Sequence, residues 1–139
     1  MKPILLIIDG MDKSGKTTLI NFINKKTKYA PLILDRGPIG YKVYSEIFKR
    51  QNTPADYDML EKTLLKSKHL CIYLYADEQE IKNRFLTSGE KKVPLGIRAH
   101  LNIYKKYYLK SKLNKLAINT TLLSVEETFD IIAKECLKW

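Results

Sequence analysis

Short unbroken apolar runs alternate along this chain with stretches in which apolar residues recur every three or four positions. The first run, "ILLII", leads from Ile4 to Asp9 and predicts a strand over 3–9. After a loop over 10–16, Leu19, Ile20 and Ile23 mark the inner side of a helix from Thr17 to about Lys26. "APLILD" is a second buried-strand candidate ending at Asp35. Pro38 suits the first turn of a helix to about Arg50, with Val43, Tyr44, Ile47 and Phe48 at helical spacing. Thr53 and Pro54 open another helix to about Ser67. "HLCIYLYA" is a third strand run, and Asp77 with Glu80 reads as a capping-box pair before a helix to about Thr87. Past the loop "SGEKKVPLG", a long helix from Ile97 to Lys115 carries the stripe Ile97, Leu101, Tyr104 and Tyr108. "KLAIN" is a weaker fourth strand, and Ser124 with Glu127 caps the last helix.

Strands that alternate with helices imply a parallel sheet covered on both faces and joined by right-handed crossovers. The expected order is 2-1-3-4 in an α/β, three-layer domain spanning 1–139. Ligands of such sheets bind beyond the carboxyl ends of the strands. The loop after the first strand and the pair Asp35-Arg36 both fall there.

That loop reads "GMDKSGKTT", and Gly10, four residues, Gly15, Lys16 and Thr17 satisfy the phosphate-binding spacing. Glycines at 10 and 15 let successive amides curl around an anion, and the following helix adds its positive end. The expected nucleotide-binding set is Gly10, Asp12, Lys13, Ser14, Gly15, Lys16, Thr17 and Thr18. Lys16 should reach the outer phosphates of ATP, and the Thr17 hydroxyl should complete the coordination of a bridging Mg²⁺. Asp35 either caps the helix at Pro38 or acts at the site, holding metal-bound water or accepting an acceptor proton. Arg36 beside it suits a transferring phosphoryl group, a surface salt bridge being the alternative.

Composition changes this picture in one respect. The net charge is +10, and residues 91–125 hold eight bases, namely Lys91, Lys92, Arg98, Lys105, Lys106, Lys110, Lys112 and Lys115, with no acid. Such a surface attracts polyanions, although a solvated helix face would look the same. Cys71 and Cys136 lack ligand spacing and read as buried structural residues. The opening apolar run is too short for a secretory leader, and nothing approaches the ~20 apolar residues of a membrane span. A cytoplasmic protein is expected.

Taken together, these residues resemble the thymidylate kinase and deoxynucleoside kinase group of phosphate-loop kinases. "GMDKSGKT" is similar to that group's loop, with Asp12 at its acidic position and Lys13 replacing its basic one, and "LILDRGPIGYKVY" resembles its Asp-Arg strand end. "LCIYLYADEQEIKNR" and "INTTLLSVEETFDII" are similar to the strand and helix leading to the lid and to the adenine-side loop. The resemblance implies that Asp12 contacts the acceptor sugar and that Lys13 helps neutralise the transferring phosphate. It also implies that Arg36 binds acceptor or γ-phosphate, while Arg84, Lys91 and Lys92 close over the donor from a lid at about 87–97. One departure stands out. Asp35 follows Thr18 by only 17 positions, so the group's second strand and acceptor-covering helices are missing.

An open acceptor side admits a bulky substrate, and Tyr104, Tyr107 and Tyr108 lie among the lysines as stacking or packing residues. The leading expectation is an ATP- and Mg²⁺-dependent kinase acting on a pyrimidine deoxynucleotide unit within DNA, resembling small viral kinases of hydroxymethylated bases. A minimal kinase of free nucleosides or nucleotides is the first alternative. A nucleic-acid-binding ATPase or switch is the second.

Overall fold

A computed structural model describes residues 4–89 and 96–136. Four strands, β1 (Leu5–Asp9), β2 (Leu32–Asp35), β3 (His69–Tyr75) and β4 (Lys115–Asn119), form one parallel sheet in the order β2-β1-β3-β4. Six helices join or cover them: α1 (Lys16–Thr27), α2 (Pro38–Phe48), α3 (Asp58–Leu65), α4 (Glu78–Ser88), α5 (Gly96–Lys110) and α6 (Val125–Cys136). The expected fold class and strand order are those observed.

The alternation of side chains across the central strands divides the interior in two. Ile7, Cys71 and Tyr73 face α2 and α5, meeting Ile39, Val43, Ile47 and Tyr104. Leu6, Ile8, Ile72 and Leu74 face α1 and α6, meeting Leu19, Ile23 and Ile132. Both cysteines are free and buried. The register pairs Ile8 with Asp35 and Asp9 with Tyr73, so the carboxyl ends of β1, β2 and β3 line up beside the loop that leaves β1. Among the described residues, no helix is long and apolar enough to cross a membrane.

Four local expectations need correction. The strand β2 is not buried, because the order leaves it at an edge, with Leu32 exposed and Ile33 and Leu34 half-buried. The segment at Pro54 opens as a 3₁₀ turn, Pro54–Tyr57, before α3 begins. The Asp77–Glu80 box does not form: Asp77 instead accepts from the Asn119 amide at 3.0 Å, and Glu80 pairs with Arg84. Helix α5 stops at Lys110 rather than Lys115, where Glu61 of α3 accepts from the Ser111 hydroxyl and the Lys112 N–H. The Ser124–Glu127 box does form, with reciprocal bonds of 3.0 and 3.1 Å.

Candidate functional site

The loop between β1 and α1 is built on backbone conformations that ordinary side chains avoid. Gly10 has φ +153°, and a Cβ there would lie 2.5 Å from the Leu74 carbonyl and 2.6 Å from Ser14 Oγ. Gly15 has φ +98°, and Lys13 between them is left-handed at +68°. The first bond of α1 beyond the loop is from Leu19 N–H to the Gly15 carbonyl, at 2.9 Å, and Gly15 offers no side-chain cap. Among the described residues, the Gly15, Lys16, Thr17 and Thr18 amides therefore keep their hydrogens for a ligand at the positive end of the helix, whereas the Ser14 N–H is donated to the Met11 carbonyl at 3.2 Å. In front of them opens a cavity of about 360 Å³ lined by Met11, Asp12, Lys13, Gly15, Lys16, Thr17 and Thr18.

A second cavity of about 350 Å³ adjoins the other side of the loop. Lys13, Gly15 and Thr18 line both, and the second is also lined by Ser14, Leu19 and Leu74 and by Arg84, Thr120, Leu123, Val125 and Thr128. Arg84 forms a fixed wall of it. Its guanidinium donates to the Lys13 carbonyl at 2.7 Å, the Thr120 carbonyl at 3.1 Å and the Glu80 carboxylate at 3.0 Å. Thr120 in turn donates its hydroxyl to the Ser14 carbonyl at 2.9 Å. The turn after β4 is thereby bonded directly to the phosphate loop. The Ser14 hydroxyl is buried and has no hydrogen-bond partner among the described residues.

The sheet brings Asp35 to the same mouth, where its carboxylate accepts from the Lys16 ammonium. Asp35 remains mostly exposed beyond that contact. Arg36, next in the chain, has a left-handed φ of +78° and stacks its guanidinium over the Tyr44 ring at 4.1 Å. Burial works against its charge, but the Tyr104, Tyr44, Asp9 and Asp12 oxygens around it raise its pKa further. Asp12 is exposed on the loop opposite. Lys13 reaches towards Phe85 of α4, its ammonium 5.9 Å from the ring centre. Lys91 and Lys92 lie outside the described residues, as does 90–95 of the expected lid.

Asp9 joins this site without a local sequence signal specific enough to mark it out. It is fully buried at the end of β1, and its carboxylate accepts from the N–H groups of Gly10, Gly37 and Gly40 at 3.0, 3.1 and 2.7 Å. The Tyr104 hydroxyl donates to it at 3.2 Å and to the Gly10 carbonyl at 3.0 Å. Burial raises the Asp9 pKa, against the lowering effect of those amides and of Arg36. Burial, and then the Asp9 charge, push the Tyr104 phenol well above its ordinary range, so it keeps its proton. An acidic residue closing an apolar strand was the available signal, but such residues commonly cap the next element.

No group of three or more His, Cys, Asp or Glu gathers to hold a metal among the described residues. The donors at the mouth, the exposed Thr17 hydroxyl and the Asp35 carboxylate, fit a Mg²⁺ that takes its other ligands from phosphates and water. The basic stretch resolves into separate roles. Tyr104 is wholly buried, Tyr107 donates to Glu46 at 2.7 Å, and Lys115 donates to the Tyr108 and Ser111 carbonyls. Lys106 pairs with Glu46 and Arg98 with Glu78, whereas Lys105, Lys110 and Lys112 are exposed on or just after α5.

No family model matches the chain, and no curated protein matches it. Among solved structures it is similar to the YorR protein of Bacillus subtilis in complex with phosphorylated GDP, with TM-score 0.81 and 24% identity over 96% of each chain. It is also similar to deoxyadenosine kinase from M. mycoides with bound dCTP, at TM-score 0.68 and 16% identity over 98% of this chain and 100% of that one. Thymidylate kinase from Candida albicans matches with TM-score 0.62 and 13% identity over 99% of this chain and 92% of that one. The fold is therefore one shared with nucleotide and deoxynucleoside kinases.

Proposed function

We propose that the chain is a phosphotransferase that moves the terminal phosphoryl group of ATP, held with Mg²⁺, to the hydroxyl or phosphate of a deoxynucleoside or deoxynucleotide. The observation that carries this reading is the meeting of Lys16 and Asp35 at the mouth of the phosphate loop. A cation for the outer phosphates and a carboxylate for metal-bound water or an acceptor proton are the two groups such a transfer needs at one point.

On this reading the loop amides and Lys16 hold the β- and γ-phosphates, and the cavity walled by Arg84, Thr120 and Val125 takes the donor base. Mg²⁺, when bound through Thr17 and Asp35, offsets charge on the phosphates. Binding a triphosphate draws Lys16 from Asp35 towards the phosphates, which frees the carboxylate. Arg36 and Lys13 lie on either side of the loop mouth to neutralise charge spreading over the transferring group. Asp12, exposed on the loop, faces the acceptor sugar. A nucleotide-bound neighbour of the same fold and length, solved with phosphorylated GDP, supports nucleotide binding here. Dependence on a triphosphate fits a cytoplasmic setting, that of a host cell if the chain is viral.

One observation favours an acceptor residue within DNA: Lys105, Lys110 and Lys112 are exposed and engaged in no ion pair among the described residues. The burial of Tyr104 removes one of the three aromatic rings that a stacked strand would use. Transfer of γ-labelled phosphate to free deoxynucleosides and deoxynucleoside monophosphates, against duplex DNA with and without hydroxymethylpyrimidine, tests both. Label in free compounds alone supports the minimal kinase, and label in DNA supports the DNA reading. Hydrolysis of ATP with no labelled acceptor at all would sink the kinase proposal in favour of an ATPase.

A further inference from the structure

We infer that Asp9 is a positioning residue, resting on the kinase reading above: its buried carboxylate clamps the turn that carries Asp35 and Arg36 to the start of the phosphate loop, and so fixes Arg36 at the acceptor side. The two oxygens face different segments. Oδ1 accepts from Gly10 of the loop and from Tyr104 of α5, and Oδ2 accepts from Gly37 and Gly40, at the turn before α2 and in its first turn. The backbone of Arg36 is tied to the same strand, with its N–H donated to the Ile8 carbonyl at 2.8 Å.

The two glycines show how closely the turn is pressed onto β1. A Cβ at Gly37 would meet Ile7 Cγ2 at 2.4 Å, and one at Gly40 would meet Asp9 Oδ1 at 2.2 Å and Arg36 Cγ at 2.6 Å. Arg36 meanwhile holds a left-handed backbone, which a non-glycine residue keeps only when its surroundings impose it. The Asp9 bonds supply that imposition. Among the described residues no other hydrogen bond joins the Gly37 and Gly40 amides to β1, so without these two Arg36 is held to the strand by its own N–H alone and its side chain can leave the Tyr44 face. A donor loop and an acceptor-side cation that drift apart by about 1 Å lose on the order of 100-fold in rate.

Asp9→Asn tests this with almost no change of shape. Three of the four groups around the carboxylate are backbone N–H donors that cannot accept, so the amide NH₂ faces Gly37 and Gly40 if turned one way and Gly10 if turned the other, where the Tyr104 hydroxyl can accept from it but Gly10 cannot. Two readouts are needed. The first is the Arg36 Nε–Hε NMR signal, identified by its loss in Arg36→Lys and shifted by the Tyr44 ring beneath it; in Asp9→Asn it should lose that shift. The second is transfer from γ-labelled ATP to the deoxynucleoside and deoxynucleotide panel, whose kcat should fall about 100-fold while the KM for ATP changes less than about threefold. An Arg36 signal that stays in place overturns the inference, whatever the activity does. A lost shift in a protein whose wild type transfers nothing upholds the clamp and sinks the kinase reading instead. If Asp9→Asn does not fold, Tyr104→Phe removes one of the four donors and should move the Arg36 signal partway. An unmoved signal in that variant overturns the inference as well.

Discussion

Arg84 donates to the backbone carbonyl of Lys13 at 2.7 Å, so α4, 71 positions on, holds the shape of the phosphate loop. Replacing it by alanine leaves the Lys13 and Thr120 carbonyls short of a charged donor. The expected result for Arg84→Ala is a loss of about 1–3 kcal/mol in chemical denaturation. Calorimetry should also show ATP affinity about tenfold weaker, with deoxynucleotide affinity unchanged. A variant with unaltered ATP affinity would return Arg84 to a purely architectural role.

Lys16 and Asp35 should separate binding from chemistry. Lys16→Ala removes the ammonium that serves the phosphates, and both ATP binding and transfer should fall, transfer by about 10³-fold or more. Asp35→Asn keeps the shape of the mouth. It should bind ATP nearly as the wild type does while transfer drops to background. Equal loss of binding in the two variants would argue against a separate role for the carboxylate.

The exposed lysines around the end of α5 make a quantitative test of nucleic-acid binding. If DNA runs across them, replacing Lys105, Lys110 and Lys112 by glutamine should weaken binding in fluorescence anisotropy. The slope of log affinity against log salt should then fall by about 2–3. An unchanged slope would leave these lysines as a solvated face.

Glu46 links α2 to α5 by accepting from Lys106 and Tyr107. Burial opposes its ionisation, but the bonds from the Lys106 ammonium and the Tyr107 hydroxyl outweigh it and hold its pKa below the ordinary 4.5. A lowered carboxyl pKa adds stability above the ordinary value, and this is lost as the pH falls through the folded value. Glu46→Gln should therefore cost about 0.5–1 kcal/mol at neutral pH, since the pair is partly solvated, and the deficit should shrink as the pH falls below the ordinary carboxyl value. Denaturant melts at pH 7 and pH 3.5 measure it.

Gly40 should tolerate no side chain. Gly40→Ala drives a methyl group to within 2.2 Å of Asp9 Oδ1, and overpacking of this kind costs about 1–3 kcal/mol. A thermal melt within 1 °C of the wild type would mean that the turn relaxes freely.

The strands, their order and the phosphate loop were legible in the sequence because their signals are local. Apolar runs such as "ILLII" and "HLCIYLY" mark strands wherever they are buried, and the Gly10, Gly15, Lys16 spacing specifies a backbone shape within eight residues. Asp35 was legible for the same reason, as an acid closing an apolar run. What the linear pattern did not carry is which distant group claims a given side chain. Asp9 takes its partners from 28, 31 and 95 positions away, and nothing in its immediate neighbours distinguishes it from a helix cap. Asp77 looked like a cap and was claimed by Asn119, 42 positions on, while α5 ends where Glu61 reaches Ser111 and Lys112. Tyr104 sat among lysines in the sequence, yet the helix sends its hydroxyl inwards to Asp9 while the next residue, Lys105, stays in water. Backbone shape follows from neighbours a few residues apart, whereas the burial of a strand such as β2 depends on its place in the sheet. The pairing of polar groups in the interior depends on long-range packing, because a buried carboxylate must accept whatever donors the assembled sheet and helices bring to it.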